Sequence, residues 1–278
     1  MIDMHIHVVN SQLPGAKADQ TRLAKPPEET AAWLAREMTE AAVTQALAMG
    51  CLAVSADDPL GVRSTLAVAD CLPGLFAIGI ADPANTSAEH LARVEQELTA
   101  GRVKALKGYS GYVHFGPDSP EYAPYYRLAA NYELPFIFHT GDTYSVRAKV
   151  KYAHPLRMDE AAVDNPDVRF VMAHFGNPWL ADAAEVVYKN ENVWADLSGL
   201  LVGDDAAFAE MAQRGALDEV AHDVRRAMRY AERPDRFLYG SDWPLAPMRR
   251  YREFVERIVP AEQRSAVFAE NARQLFRL

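Results

Sequence analysis

Residues 1–10 read MIDMHIHVVN. From Ile2 to Val8 apolar and polar side chains alternate, and that period of two predicts a β-strand. The polar set is Asp3, His5 and His7. In a strand, residues i and i+2 project to one face, roughly 6.5 Å apart along the chain. Both rings can then reach one cation, with Zn–N bonds of about 2.0–2.1 Å. On a helix the same spacing points the pair apart. Asp3 is expected on the same face, one step deeper, accepting a hydrogen bond from a ring nitrogen and fixing its tautomer.

Seven more segments have the character of this first one: TQALAMG, LFAIGIA, RVKALKGY, LPFIFHT, VRFVMAH, NVWADLS and RFLYGSD. Each is short, apolar and bounded by Gly, Pro, Asn or a charge. Amphipathic segments separate them; Leu91, Val94 and Leu98 fall at helical spacing, as do Phe268, Ala272, Leu275 and Phe276. Strands alternating with helices imply a parallel sheet, because each crossover needs a helix to return the chain. Eight units in 278 residues give 278/8, about 35 residues each, close to one βαβ unit. An open doubly wound sheet would carry a glycine-rich phosphate loop after its first strand, and HVVNSQLPGAK is not one. The expectation is an α/β fold, a single (β/α)8 TIM barrel domain over residues 1–278.

The composition agrees. Hydrophobic residues make up 49% of the chain, enough for a large core, and the net charge of −9 argues against a general nucleic-acid binder. No apolar run reaches the roughly 18 residues that a membrane span needs. Cys51 and Cys71 have no metal-type spacing, and no secretory signal precedes Asp3. A cytoplasmic protein acting on a small molecule is expected, without nucleic-acid or membrane partners.

Most of the strands end in a residue foreign to an apolar core: His5 and His7, Lys107, His139, His174 and Asp242. Their spacing follows the repeat. His7 to Lys107 is 100 positions, Lys107 to His139 is 32, His139 to His174 is 35 and His174 to Asp242 is 68. In a closed barrel the C-terminal strand ends converge on one mouth, where enzymes of this fold place their chemistry. Lys107 has three readings: a carbamate bridging two metals, a partner for a substrate carboxylate, or a structural ion-pair member. The basic run Arg147, Lys149, Lys151 and Arg157 follows strand five and could attract an anion there, although a solvated helix face is its ordinary meaning. Trp243 and Tyr109, with Tyr112, Phe115 and Trp179, could wall a ring-containing substrate, and His114 has a plausible loop role beside them.

These segments, DMHIH, LPFIFHTGD, VRFVMAHFGNPW and FLYGSDWP, taken in order, resemble the amidohydrolase superfamily. More narrowly they are similar to its amidohydrolase-related branch, which includes the aminocarboxymuconate-semialdehyde decarboxylase type. The resemblance spans nearly the whole chain. It implies a distorted barrel with a divalent metal at its mouth, held by His5, His7, His139 and Asp242, with His174 as catalytic acid or base and Asp242 sharing that role. In binuclear relatives the strand-four lysine is carbamylated and the histidines of strands five and six bind a second ion, so Lys107 and His174 leave one or two metals open. Zinc suits His and carboxylate donors best, with manganese, nickel or iron as alternatives. The implied activity is hydrolysis of a C–O or C–N bond in a lactone, ester or amide; the alternative is non-oxidative decarboxylation of an unsaturated or aromatic acid. The family often forms dimers, so a homodimer is a further expectation.

Overall fold

The computed structural model describes residues 1–15 and 23–278. Eight parallel strands pair in chain order: β1 (Ile2–His7), β2 (Gln45–Met49), β3 (Leu75–Ile80), β4 (Val103–Gly108), β5 (Phe136–His139), β6 (Phe170–Ala173), β7 (Val193–Asp196) and β8 (Phe237–Leu238). Every one lies inside a segment expected to be a strand. The last is much shorter than expected, because the chain leaves regular geometry after Leu238 and Asp242 turns into the left-handed region at φ 58°. Irregular backbone nevertheless joins β8 to β1. Met4 N–H donates to the Tyr239 carbonyl (3.0 Å), Asp242 N–H to the His5 carbonyl (2.9 Å) and His7 N–H to the Trp243 carbonyl (2.7 Å).

Helices α1 (Pro27–Ala41), α2 (Arg63–Ala69), α3 (Ala88–Thr99), α4 (Ala123–Asn131), α5 (Leu156–Asp164) and α6 (Leu180–Lys189) follow β1 to β6 in turn. Two helices, α7 (Asp205–Gln213) and α8 (Ala216–Ala231), lie between β7 and β8, and α9 (Met248–Ile258) and α10 (Asn271–Phe276) close the order. Helix α3 shows how such elements form. Ser87 caps it by accepting the His90 N–H at 3.3 Å, and Val94 and Leu98 fall on its buried face. Burying two such side chains is worth about 1.5–3 kcal/mol each. Among the described residues, no helix is long and apolar enough to cross a membrane.

Two apolar layers result. Ile2, Met4, Leu47, Met49, Ile78, Ala105, Ile137, Val171, Ala173 and Leu238 form one cluster inside the barrel, closed at the bottom by Ala272, Leu275 and Phe276 of α10. Alternate strand residues, such as Ile6, Ala48, Leu106 and Phe138, pack outward against the helices. Strand alternation continues the inward rows upward. After Ala105 the next inward residue is Lys107, and after Ile137 it is His139. An apolar floor thus carries a polar layer at the C-terminal strand ends.

Candidate metal centre and acid–base site

In β1 the simple alternation fails. Asp3 pairs with Ala46 but Ile6 pairs with Ala48, so one extra residue is inserted as a β-bulge. The bulge changes the phase. Ile2 and Met4 point into the barrel below it, whereas His5 and His7 meet the site above it and Ile6 and Val8 pack outward. The expected common face for Asp3, His5 and His7 is therefore corrected. Asp3 is fully buried away from the rings, and its Oδ1 accepts the backbone N–H groups of His5 (3.2 Å) and Ser241 (3.0 Å). Burial raises its pKa to about 7 against the opposing pull of those bonds.

The ring of His5 meets a different carboxylate. Its Nδ1 lies 2.9 Å from Oδ2 of Asp196, a fully buried residue at the end of β7. His7 Nδ1 lies 2.9 Å from the Ser11 hydroxyl. With both Nδ1 atoms engaged, both Nε2 atoms turn toward Asp242, whose Oδ1 is 3.7 Å from that of His5 and 3.2 Å from that of His7. This oxygen is buried and makes no hydrogen bond among the described residues. Two imidazole nitrogens and an orphaned carboxylate oxygen, mutually within 4.8 Å, are a donor set that fits a divalent cation. Burial, followed by the positive charge of Lys107, lowers the His5 pKa to about 4, so its ring is neutral at pH 7 and its lone pair is free. Burial alone would raise the Asp242 carboxyl; the imidazole ring of His7 close by, followed by those of His174 and His5, holds it well below the usual carboxylate range.

His139 stands apart from this group. Its Nε2 lies 2.7 Å from the Asp142 carbonyl and therefore donates, and its ring packs 4.9 Å from that of His174. Lys107 is fully buried with no hydrogen bond to Nζ among the described residues, 5.5 Å from the Tyr109 ring centroid. Burial lowers its pKa to about 8, against the attraction of Asp196 and Asp242.

A second group escaped the sequence analysis. Asp196 and Ser198 lie within NVWADLS, whose acidic end residue is a signal of the same kind as those taken from the other strands. Asp196 Oδ1 accepts the Ser198 N–H (2.8 Å), the His174 N–H (3.2 Å) and the Ser198 hydroxyl. The Ser198 Oγ also lies 2.9 Å from His174 Nδ1 and 3.1 Å from His5 Nδ1. His174 sits in the left-handed region at φ 63°. Such a backbone costs of order 1–3 kcal/mol, and the bond from its N–H to Asp196 helps hold it. Gly199 lets the ring lie close, since a Cβ there would come within 2.4 Å of His174 Nδ1.

A cavity of about 270 Å³ opens above this layer, lined by His139, Asp142, Tyr144, His174, Asn177, Gly199, Leu200, Leu201, Val202 and Asp242. The expected substrate residues sit elsewhere. Trp243 is buried against Trp33, ring centroids 4.5 Å apart, and both line a separate cavity of about 660 Å³ with Arg36 and Glu37. The left-handed turn at Asp242 precedes it, so the indole's direction is set by that turn and by its packing on Trp33. His114 is exposed, with Nε2 on the Arg147 carbonyl (3.1 Å) and its ring stacked on Tyr152. The Tyr109 hydroxyl lies within the barrel wall, 3.3 Å from Ser11 Oγ and 3.5 Å from the Gly50 carbonyl, with one hydrogen to share between them. None of the basic run lines this cavity, and two of its four members are engaged elsewhere: Arg157 pairs with Asp118 at 2.6 Å, and Lys151 lies over Tyr152.

Comparison with known proteins adds the lineage. No curated protein matches the chain. Among solved structures, an amidohydrolase from Burkholderia multivorans with bound zinc is similar at 19% identity and TM-score 0.70, covering 100% of this chain and 99% of that one. The 5-carboxyvanillate decarboxylase of Sphingomonas paucimobilis is similar at 15% identity and TM-score 0.68, and a probable 2-pyrone-4,6-dicarboxylic acid hydrolase from Acinetobacter baumannii at 16% and 0.67, each covering 100% of this chain and 99% of the other. At such identities the likeness establishes the fold. The amidohydrolase family model matches residues 2–278, and the chain therefore belongs to the amidohydrolase family.

Proposed function

We propose that this protein is a metal-dependent hydrolase that cleaves a C–O or C–N bond of a small carbonyl substrate: a lactone, ester or amide. The observation that carries the reading is the convergence of His5 Nε2, His7 Nε2 and the orphaned Asp242 Oδ1 beside the cavity that His174 lines. His5, His7 and Asp242 would hold one divalent ion, and His139 of β5 would join as a fourth donor by turning its ring from the Asp142 carbonyl. Zinc is the ion that this donor set suits best, and zinc is bound in the relative from Burkholderia multivorans. When bound, such an ion supplies Lewis acidity, which polarises a carbonyl and acidifies water. The protein's part is to orient and to move protons. Asp196 and Ser11 hold the His5 and His7 rings, and His174 takes a proton from the attacking water and returns it to the leaving group. Leu200, Leu201 and Val202 give the cavity an apolar wall, and its size suits a small molecule. A cytoplasmic setting belongs to this reading and is supported by two unpaired cysteines, Cys51 and Cys71.

A second reading uses the same residues. Non-oxidative decarboxylation of an unsaturated or aromatic acid needs a proton donor to carbon, and His174 is placed to serve as one. The likeness in fold to 5-carboxyvanillate decarboxylase supports it. One experiment separates the two. The metal-loaded protein is given lactones, esters and amides with acid release followed, and aromatic and unsaturated acids with carbon dioxide followed. Hydrolysis predicts acid release that disappears with chelation. Carbon dioxide alone would establish decarboxylation instead.

A further inference from the structure

We propose that Ser198 is a positioning residue that fixes the tautomer of His174, placing the proton on Nδ1 and leaving Nε2 as the nitrogen that accepts a proton in the cavity. The argument is a count of donors and acceptors. Asp196 Oδ1 already receives two backbone N–H groups, from His174 at 3.2 Å and Ser198 at 2.8 Å, so it acts only as an acceptor. The Ser198 hydroxyl is bonded to that same oxygen and must therefore donate its single hydrogen there. Nothing remains on Ser198 Oγ to donate to His174 Nδ1, 2.9 Å away. The hydrogen in that contact belongs to the imidazole. A neutral ring with Nδ1–H carries its lone pair on Nε2, which has no hydrogen bond among the described residues and belongs to a side chain lining the cavity.

The assignment does not depend on the ionisation of Asp196, because the two backbone donors occupy Oδ1 in either state. Nor is the network loose. Ser198 and Asp196 are fully buried, and Gly199 is the only kind of residue that lets the ring lie against this turn at φ 61°. The same carboxylate reaches His5 through its other oxygen, so one aspartate orients a proposed metal-binding ring directly and the acid–base ring through a hydroxyl.

The inference rests on the reading of His174 as the acid–base group, but the tautomer can be observed without turnover. The test is a two-bond ¹H–¹⁵N spectrum of the zinc-loaded, nitrogen-labelled chain, with the His174 signals assigned by their loss in His174→Asn. The expected pattern is protonated Nδ1 and unprotonated Nε2. Ser198→Ala should convert it to a mixture or to the Nε2–H form, while zinc content stays unchanged. On the substrate that the wild type turns over, kcat should fall about 10–100-fold with KM nearly constant, and Ser198→Cys should recover part of the loss. An Nε2–H tautomer in the wild type, or an unaltered Nδ1–H pattern in Ser198→Ala, overturns the proposal. A chain that binds no zinc defeats the functional reading, and the spectrum of the metal-free chain then still decides the tautomer.

Discussion

Asp196 and His5 are 191 positions apart in sequence, yet Asp196 Oδ2 lies 2.9 Å from His5 Nδ1 inside the barrel. Burial alone would raise the Asp196 carboxyl; the neighbouring His5 ring with its hydrogen bond, helped by His174 and Ser198, reverses this and holds it low. Asp196→Asn should cost about 10–100-fold in zinc affinity, because an amide supports the His5 ring less well than a carboxylate. Competition with a chelating dye measures this. Affinity equal to that of the wild type would remove Asp196 from the site's support.

The three converging donors differ from His139. His7→Ala should abolish stoichiometric zinc and turnover together, as His5→Ala should. His139→Ala should retain zinc with affinity reduced roughly ten-fold, since its Nε2 is already committed to the Asp142 carbonyl. Elemental analysis of the purified variants decides. If His139→Ala loses zinc as completely as His7→Ala, the ring must turn to reach the ion.

Acid should destabilise the metal-free protein between pH 6.5 and 4. His5 has a folded pKa of about 4 against an ordinary 6.5, and burial lowers His139 and His174 as well. The unfolded chain binds those protons first, so stability present above pH 6.5 is lost as pH falls, by at most about 1.4 kcal/mol per pH unit for each group. Asp3 acts in the opposite sense. Its raised pKa of about 7 gives stability that is present below pH 4 and lost as pH rises through 7. Three histidines outweigh one aspartate, and Asp3→Asn should make the acid loss steeper. Urea unfolding at pH 7, 6 and 5 with chelator present tests both signs.

Gly199→Ala is the sharpest steric probe. The added Cβ would stand 2.4 Å from His174 Nδ1 in a backbone at φ 61°. Stability should fall by about 1–2 kcal/mol from the left-handed conformation alone, and turnover should fall much more than zinc content. Full turnover in this variant would show that His174 can work from another position.

The eight strands were legible because each parallel strand buries both faces and so reads as an apolar run with a foreign residue at its end. The meeting of His5, His7, His174 and Asp242 in space was legible for the same reason: a barrel mouth collects strand ends. The limits of that reading are local. Period-two counting put Asp3 beside the histidines, and the bulge between Asp3 and Ile6 reversed it; an inserted residue leaves the letters of a strand unchanged. Asp196 carried the right signal but ends a strand whose acid resembles an ordinary boundary charge. Trp243 gained attention by adjacency to Asp242, but the left-handed turn at Asp242 sends its indole onto Trp33, and no letter of the sequence announces that turn. No pattern in the basic run foretold that Arg157 would be taken by Asp118, because that contact depends on how a loop folds back.

The apolar floor beneath His5 and Lys107 is sealed from below by Leu275 and Phe276, so among the described residues the site is reached through a door at the mouth of the barrel. Reactant and spent fragments must share it, so each turnover waits for departure before the next arrival. Product should therefore compete directly with reactant for the vacant chamber, and traffic through that opening sets an upper bound on throughput whatever bond is broken inside.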